Sequence, residues 1–590
     1  MLTDYERRMI SERRRRRLII GGTFVALLVV AVVAARPTRN AIKSWQARRH
    51  ATKAFALIEQ ENWSAAKEEA VAAYQLRQTE PQALRAVARL LSRIRQPQAL
   101  EFWDLLAKQA PLTREDLRDE ATVALAIGEA ARAETAIAAL VKEAPTPRDE
   151  LLAAQLALQK GQPADAQSRL DHVLNSSGAS EAEQFEAAYL QVRATAAAPP
   201  EDPRRAGAWE RLVKLSQGRT PVALQALVLL AQRQLSSTTD AAAERTAVPS
   251  VSASALADAL EAHPLAKAPH KLLALDLRAQ ADPSQRGALL DRAITDFANA
   301  DPASQGALAT WLNGKGEHQR ELDAIPLDRA IQTRELFLQH VDALGALGRW
   351  EEIRKLLEAE RFPLDPVIQR MYLARCNAQL GEQTASENNW QRALEAASGD
   401  PQKLMTLADY AEKNGASAIA DAAFTAAAVA MPKLRAAQQG RLRAAEAARD
   451  TKRMHAILTE MLQLWPNDTA IQNDEAYTRL LLLPNDTPDP EELIAIERIA
   501  SRLVEIEPAS LPHRTLLALA RLKQHRPVAA LDAYHDIQVT PAALAASALA
   551  VHAAVLAAND HRDDARIEIK QAPLEKLLPE EQAGTADLRD

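Results

Sequence analysis

Cysteine is almost missing from this chain. Cys376 stands alone among 590 residues, which excludes an intramolecular disulfide framework and any zinc site built from cysteine. Its setting, MYLARCNAQL, reads as a packed helix face rather than a reactive thiol. Aromatic residues are scarce at 4%, and glycine occurs only 18 times, too few for the sharp turns of a β-sandwich or a nucleotide-binding sheet. What remains is an apolar content of 47% carried by Ala and Leu, with 25% charged residues, the composition of stacked helices. At this length the chain is either several domains or one extended repeat array.

Charge is distributed unevenly. Residues 1–49 hold 12 Lys/Arg against 3 acids, or +9, so the remaining 541 residues sum to −15 for a chain total of −6. An acidic body argues against nucleic acid as the main partner.

Long apolar runs are also absent, with one exception. Leu18 to Ala35 is 18 residues without a charge, a helix of roughly 27 Å, close to the thickness of a bilayer core. Arg13 to Arg17 precede it, and Arg36, Arg39, Lys43, Arg48 and Arg49 follow. The heavier basic flank predicts a cytoplasmic segment 1–17, a transmembrane helix 18–35 and a large domain outside the cytoplasm, periplasmic in a bacterium. The alternative is a secretory signal, because Val33 and Ala35 fit a small-residue cleavage pattern and the arginine run superficially resembles a twin-arginine signal.

The rest of the chain keeps time. Pro111 and Pro145 lie 34 residues apart, as do Pro432 and Pro466; Gly348 to Gly381 is 33, and Gly381 to Gly415 is 34. In the unit ending at Pro432, Gly415 is followed by Ala420, Phe424 and Ala427; Gly128, Ala133, Ile137, Leu140 and Pro145 repeat the order. Another small residue lies 12 positions earlier in each case: Ala121 before Ala133, Ala154 before Ala166, Ala374 before Ser386, Ala408 before Ala420. Two antiparallel helices approach closely only where neither carries bulk, so each contributes Ala or Ser at the crossing. Glycine allows the turn between them. A large residue such as Phe424 fills space toward the next hairpin, and proline ends the second helix. One hairpin cannot bury its apolar face alone; stacked neighbours bury it.

This grammar resembles the tetratricopeptide repeat family, in degenerate form, with clear units over 82–175 and 348–466 and looser ones over 47–78 and 509–571. Aliphatic residues such as Leu125 and Leu158 often replace the family's first-helix aromatic, and hairpins of another repeat family are the alternative. The resemblance implies an all-α, tetratricopeptide-like α-solenoid of antiparallel helix hairpins, about 12–15 of them at roughly 34 residues each. The Ser/Thr/Ala-rich segment 236–254 reads as a linker between a half over 36–235 and a half over 255–582, with 583–590 a frayed tail.

Catalytic signatures are missing. Asn313-Gly314-Lys315-Gly316 lacks the Ser/Thr and the preceding strand of a phosphate loop, and neither a Gly-x-Ser-x-Gly elbow nor a His-Glu-x-x-His pair occurs. His513, His525, His535 and His552, with Asp532 and Asp536, are the densest histidine group and read as polar helix faces and turns. The acidic insertion 485–492 lacks the glycine of an EF-hand loop, and Asp489 reads as an N-cap before Pro490. No catalytic, metal-binding or cofactor-binding residue is therefore expected. First-helix faces carry mixtures such as Met405, Asp409, Glu412 and Lys413, or Gln439, Arg443 and Glu446, without a consistent basic clamp. The expectation is a membrane-anchored, non-enzymatic scaffold in the cell envelope that binds protein or peptide partners. The alternatives are an accessory subunit of an envelope enzyme or of a polysaccharide or secretion complex, and an exported repeat protein freed by signal cleavage.

Overall fold

The computed structural model describes residues 40–142, 144–195, 202–236, 251–484, 489–535, 537 and 544–589. These are helical throughout, with no strand among the described residues. The chain forms two compact units, one ending at Gly316 and the other beginning at Glu317.

In the first unit, a helix over 40–59 pairs with Trp63–Leu76, and further hairpins follow: Pro81–Arg93 with Ala99–Ala107, Arg114–Ile127 with Ala130–Val141, Pro147–Gln159 with Pro163–Asn175, and Glu181–Ala194 with Pro203–Leu215. Pro221–Leu235 then pairs with Ala253–Ala262, and Ala268–Ala281 is followed by Arg286–Phe297 and Pro302–Gly314. The helices flanking 236–254 share one core, in which Leu224, Leu227 and Leu230 meet Leu256 and Leu260, while 237–250 lie outside the described residues.

The second unit repeats the design. Arg334–Ala346 pairs with Trp350–Glu358, Pro366–Gln379 with Gln383–Ala397, Pro401–Lys413 with Ser417–Ala430, and Arg435–Ala447 with Thr451–Leu464. Thr469–Leu482 precedes Pro490–Ile506, Leu511–Lys523 precedes Pro527–Asp532, and Ala546–Ala558 pairs with Arg562–Ile569. Two short helices, Pro579–Gly584 and Ala586–Arg589, come last, and the latter buries Leu588 within the segment 583–590.

The turns inside ten of the hairpins share one backbone requirement, a residue in the left-handed region. Gly128, Gly161, Gly348, Gly381 and Gly415 meet it at φ of 80°, 66°, 71°, 79° and 75°. Glu61, Arg95, Arg449, His525 and Asp560 occupy the same place at 56°, 56°, 53°, 58° and 65°. The period therefore continues where glycine does not mark it. Prolines open helices as well as follow them: Pro81, Pro147, Pro221, Pro366 and Pro401 all stand in a first turn, where their missing N–H costs nothing. Pro432 follows Ser417–Ala430, and its carbonyl accepts a bond from Gln438 at 3.1 Å.

Ala121, Ala133, Ala154, Ala166 and Ala408 are wholly buried, and Ala420 and Phe424 nearly so. Ser386 donates its hydroxyl to the Ala374 carbonyl at 2.7 Å across the crossing. Phe424 packs among Ala408, Ala411, Ala420 and Ala437; burying such a ring contributes about 2–3 kcal/mol.

Ion pairs tie successive first helices of the first unit together. Arg85 and Arg89 bond the buried Asp116, Arg89 and Arg93 the buried Asp119, and Arg114 and Arg118 the buried Asp149. Burial pushes the Asp149 carboxyl upward, but bonds from Arg118, Thr146 and Arg114 outweigh it and hold the group well below the usual carboxylate range.

The expectation of a single-pass membrane protein with its repeats outside the cytoplasm is corrected. No helix among the described residues is long and apolar enough to cross a membrane. The helix over 40–59 carries Lys43, Arg48, Arg49, Lys53 and Glu59, and Pro490–Ile506 is interrupted by Glu491, Glu492, Glu497, Arg498, Arg502 and Glu505. The run Leu18–Ala35 and the arginines Arg13 and Arg17 lie outside the described residues.

Candidate functional site: the first-helix face of the second unit

Four charged residues stand in register on successive first helices of the second unit. Asp342, Arg375, Asp409 and Arg443 follow one another at intervals of 33, 34 and 34 residues, alternating in sign. A repeat of that length returns each side chain to the same place on its helix, so the four form a row. Asp342, Asp409 and Arg443 are exposed, and Arg375 is half-buried.

Neighbours hold the row in place. Tyr372 donates its hydroxyl to Asp342 at 3.2 Å, and its ring lies 5.6 Å from that of Tyr410. Tyr410 in turn lies 6.0 Å from Trp390, and the Arg375 guanidinium sits over the Trp350 ring at 5.0 Å. Arg443 bonds Glu412 on the preceding first helix at 3.0 and 3.2 Å and covers the Phe424 ring at 5.4 Å. Donating to Glu412 raises the Arg443 pKa further, with Asp409 adding to the effect. The half-buried rings of Trp350, Tyr372 and Tyr410 lie beside the charges, whose signs alternate along the row. Among these residues no nucleophile stands beside a base.

Glu321 lies on His318–Ala324 at 0% exposure, with neither carboxylate oxygen hydrogen-bonded. Burial pushes its pKa up to about 8, and the charge of Asp342 adds to this, so the group is protonated at neutral pH. Cys376 is buried, and burial pushes its thiol up to about 12, the condition of an inert packed thiol.

The other sequence candidates disperse. His552 pairs with Glu568 at 2.8 Å and meets the Tyr534 ring edge-on at 4.8 Å, His513 is buried, and His525 occupies a hairpin turn. Asp536 lies outside the described residues, and among those described no group of His, Cys, Asp or Glu is placed to hold a metal. Lys315 pairs with Asp276 at 2.8 Å beside the turn at Gly316. Asp489 caps its helix by accepting from the Glu491 N–H at 3.0 Å, while 485–488 lie outside the described residues. An open cavity of about 390 Å³ in the first unit lies beside Glu261, Lys271, Arg292 and Asp296, with Arg292 3.4 Å from Glu261 and 3.6 Å from Asp296.

The charge row was within reach of the sequence. Each of its residues directly follows the first-helix packing position of its repeat, Val341, Ala374, Ala408 and Leu442. A search for a single-sign clamp passes over an alternating row.

No family model matches the chain, and no curated protein matches it in sequence. Among solved structures it is similar to that of Naa15/Naa10 bound to HypK-THB, at 14% identity over 94% of this chain and 96% of the other, with a TM-score of 0.30. It is also similar to the yeast Tom70, at 13% identity over 88% and 97%, with a TM-score of 0.25. A third is the APC/C hetero-tetramer Cut9–Hcn1, at 13% identity over 79% and 95%, with a TM-score of 0.22. These are tetratricopeptide-type helical repeat proteins. The helical repeat of this chain rests on its own hairpins.

Proposed function

We propose that the protein is a non-catalytic scaffold of tetratricopeptide-like repeats, and that the first-helix face of its second unit binds a segment of a partner protein. The alternating row of Asp342, Arg375, Asp409 and Arg443 is the observation that carries this reading. A fold alone assigns no function. Four charges of alternating sign beside half-buried aromatic rings, at a fixed period, match a chain segment with the opposite alternation. Aromatic and arginine side chains in such surroundings are those that dominate binding energy at interfaces.

The test is selection of a displayed random peptide library on the full chain, repeated with the variant D409R/R443E. The expected result is enrichment of peptides bearing both signs of charge, lost or inverted in pattern with the variant. No enrichment, or enrichment indifferent to the two substitutions, sinks the proposal.

A further inference from the structure

The row of first-helix residues does not stop at Arg443. A further 34 positions along the chain stands Tyr477, on Thr469–Leu482. Here the face is covered by the chain itself. Tyr477 donates its hydroxyl to the Glu581 carboxylate at 2.6 Å, across 104 residues of sequence. Ser547, on Ala546–Ala558, also bonds this pair. Glu580 accepts a bond from the Thr451 hydroxyl across 129 residues, and its charge acts on Lys523. Leu578 enters the apolar core formed with Ala476, Leu480 and Leu517. Glu581 is 4% exposed and also accepts the Leu578 N–H at 2.8 Å, closing the first turn of Pro579–Gly584.

Residues 577–589 do two things. Leu577 and Leu588 pack with Leu549, Ala553, Ala565 and Ile569, covering the hairpin that immediately precedes them. Leu578, Glu580 and Glu581 also touch that hairpin, through Val551 and Ser547, and in addition reach back to Thr451 and Tyr477, which belong to earlier hairpins. Covering the neighbouring hairpin does not require that reach. It places a carboxylate on the fifth residue of the row, held by a tyrosine hydroxyl and a serine, with an apolar residue seated beside it.

We infer that the segment Leu578–Gly584 is a built-in occupant of this end of the binding face, and that the site it fills takes an acidic segment of the same chemistry from a partner: an apolar residue followed by Pro-Glu-Glu entering a helix. The inference rests on reading the first-helix row as a binding face. A tethered occupant competes at an effective concentration on the order of millimolar, so a partner must displace it.

The test uses the full chain and a fluorescent peptide of residues 573–590, titrated by anisotropy against the wild type and against E580A/E581A. The expected result is at least roughly tenfold tighter peptide binding by the variant, lost again when Tyr477→Phe is added. A peptide carrying Lys in place of Glu580 and Glu581 should not bind. Equal binding by both chains, or binding by neither, overturns the inference. Hydrogen exchange on the single variant Tyr477→Phe covers the case in which E580A/E581A fails to fold. Exchange should then quicken at 578–584 while 586–589 and Arg562–Ile569 stay protected. Unchanged exchange at 578–584, or faster exchange at all three together, would show a structural cover and overturn the inference. Peptide selection by the Asp342–Arg443 row is read independently, so either result can fail alone.

Discussion

Gly440 sits where a Cβ atom would come within 2.4 Å of the Phe424 ring. The glycine lies in mid-helix on Arg435–Ala447, where alanine would ordinarily be worth about 1 kcal/mol more. It is there because the ring of the preceding hairpin occupies the space. Phe424 is boxed in by Ala408, Ala411 and Ala420 and covered by Arg443, so it has little room to withdraw.

Gly440→Ala should therefore destabilise the second unit, by about 1–3 kcal/mol as in other overpacked cores. Gly306→Ala, in a helix with nothing within 4 Å of the added Cβ, should be neutral or slightly stabilising. Urea denaturation of the two variants checks the contrast; equal effects would mean that the Phe424 seat is loose.

Asp149 should matter to the first unit through its two arginines. Asp149→Asn leaves Arg114 and Arg118 without their shared charge, at a cost of about 3–5 kcal/mol. The folded pKa is depressed, so the stabilisation is fully present above the unfolded value and is lost as pH falls through the folded one. The stability gap between wild type and variant should be full near neutrality and close in strong acid. A gap that is constant with pH would show that the carboxylate's charge contributes nothing.

Glu321 behaves in the opposite sense. Its folded pKa is raised from 4.5 to about 8, so the unfolded chain ionises first and stability drains away as pH climbs between those values. Glu321→Gln should be the more stable form above about pH 5, by on the order of 1.4 kcal/mol for each further pH unit until about pH 8. Thermal melts across pH 5 to 9 measure this, and parallel curves would mean that Glu321 finds a partner in solution.

Legibility followed locality. The small residues 12 apart, such as Ala408 and Ala420, and the glycine turns at Gly128 or Gly415 were readable because each answers a steric demand within one hairpin. Turns at Glu61, Arg95 and Arg449 were not, because the same backbone conformation is held there by the packed helices on either side rather than by the residue's own preference. The segment 236–254 reads by composition as a break, yet the helices flanking it share a core and the compact units divide after Gly316. Composition reports what a loop costs to order, not what its flanking helices bury.

By itself the sequence determined the helical class, the period near 34 residues and the close crossings, since all three follow from side-chain size and backbone freedom within a few turns. Only the tertiary structure decided which charges are consumed between repeats, as at Arg118 with Asp149 and Arg443 with Glu412. It alone decided that Glu581 returns to Tyr477. A contact across 104 residues leaves no periodic trace, because it depends on how stacked hairpins bring distant surfaces together.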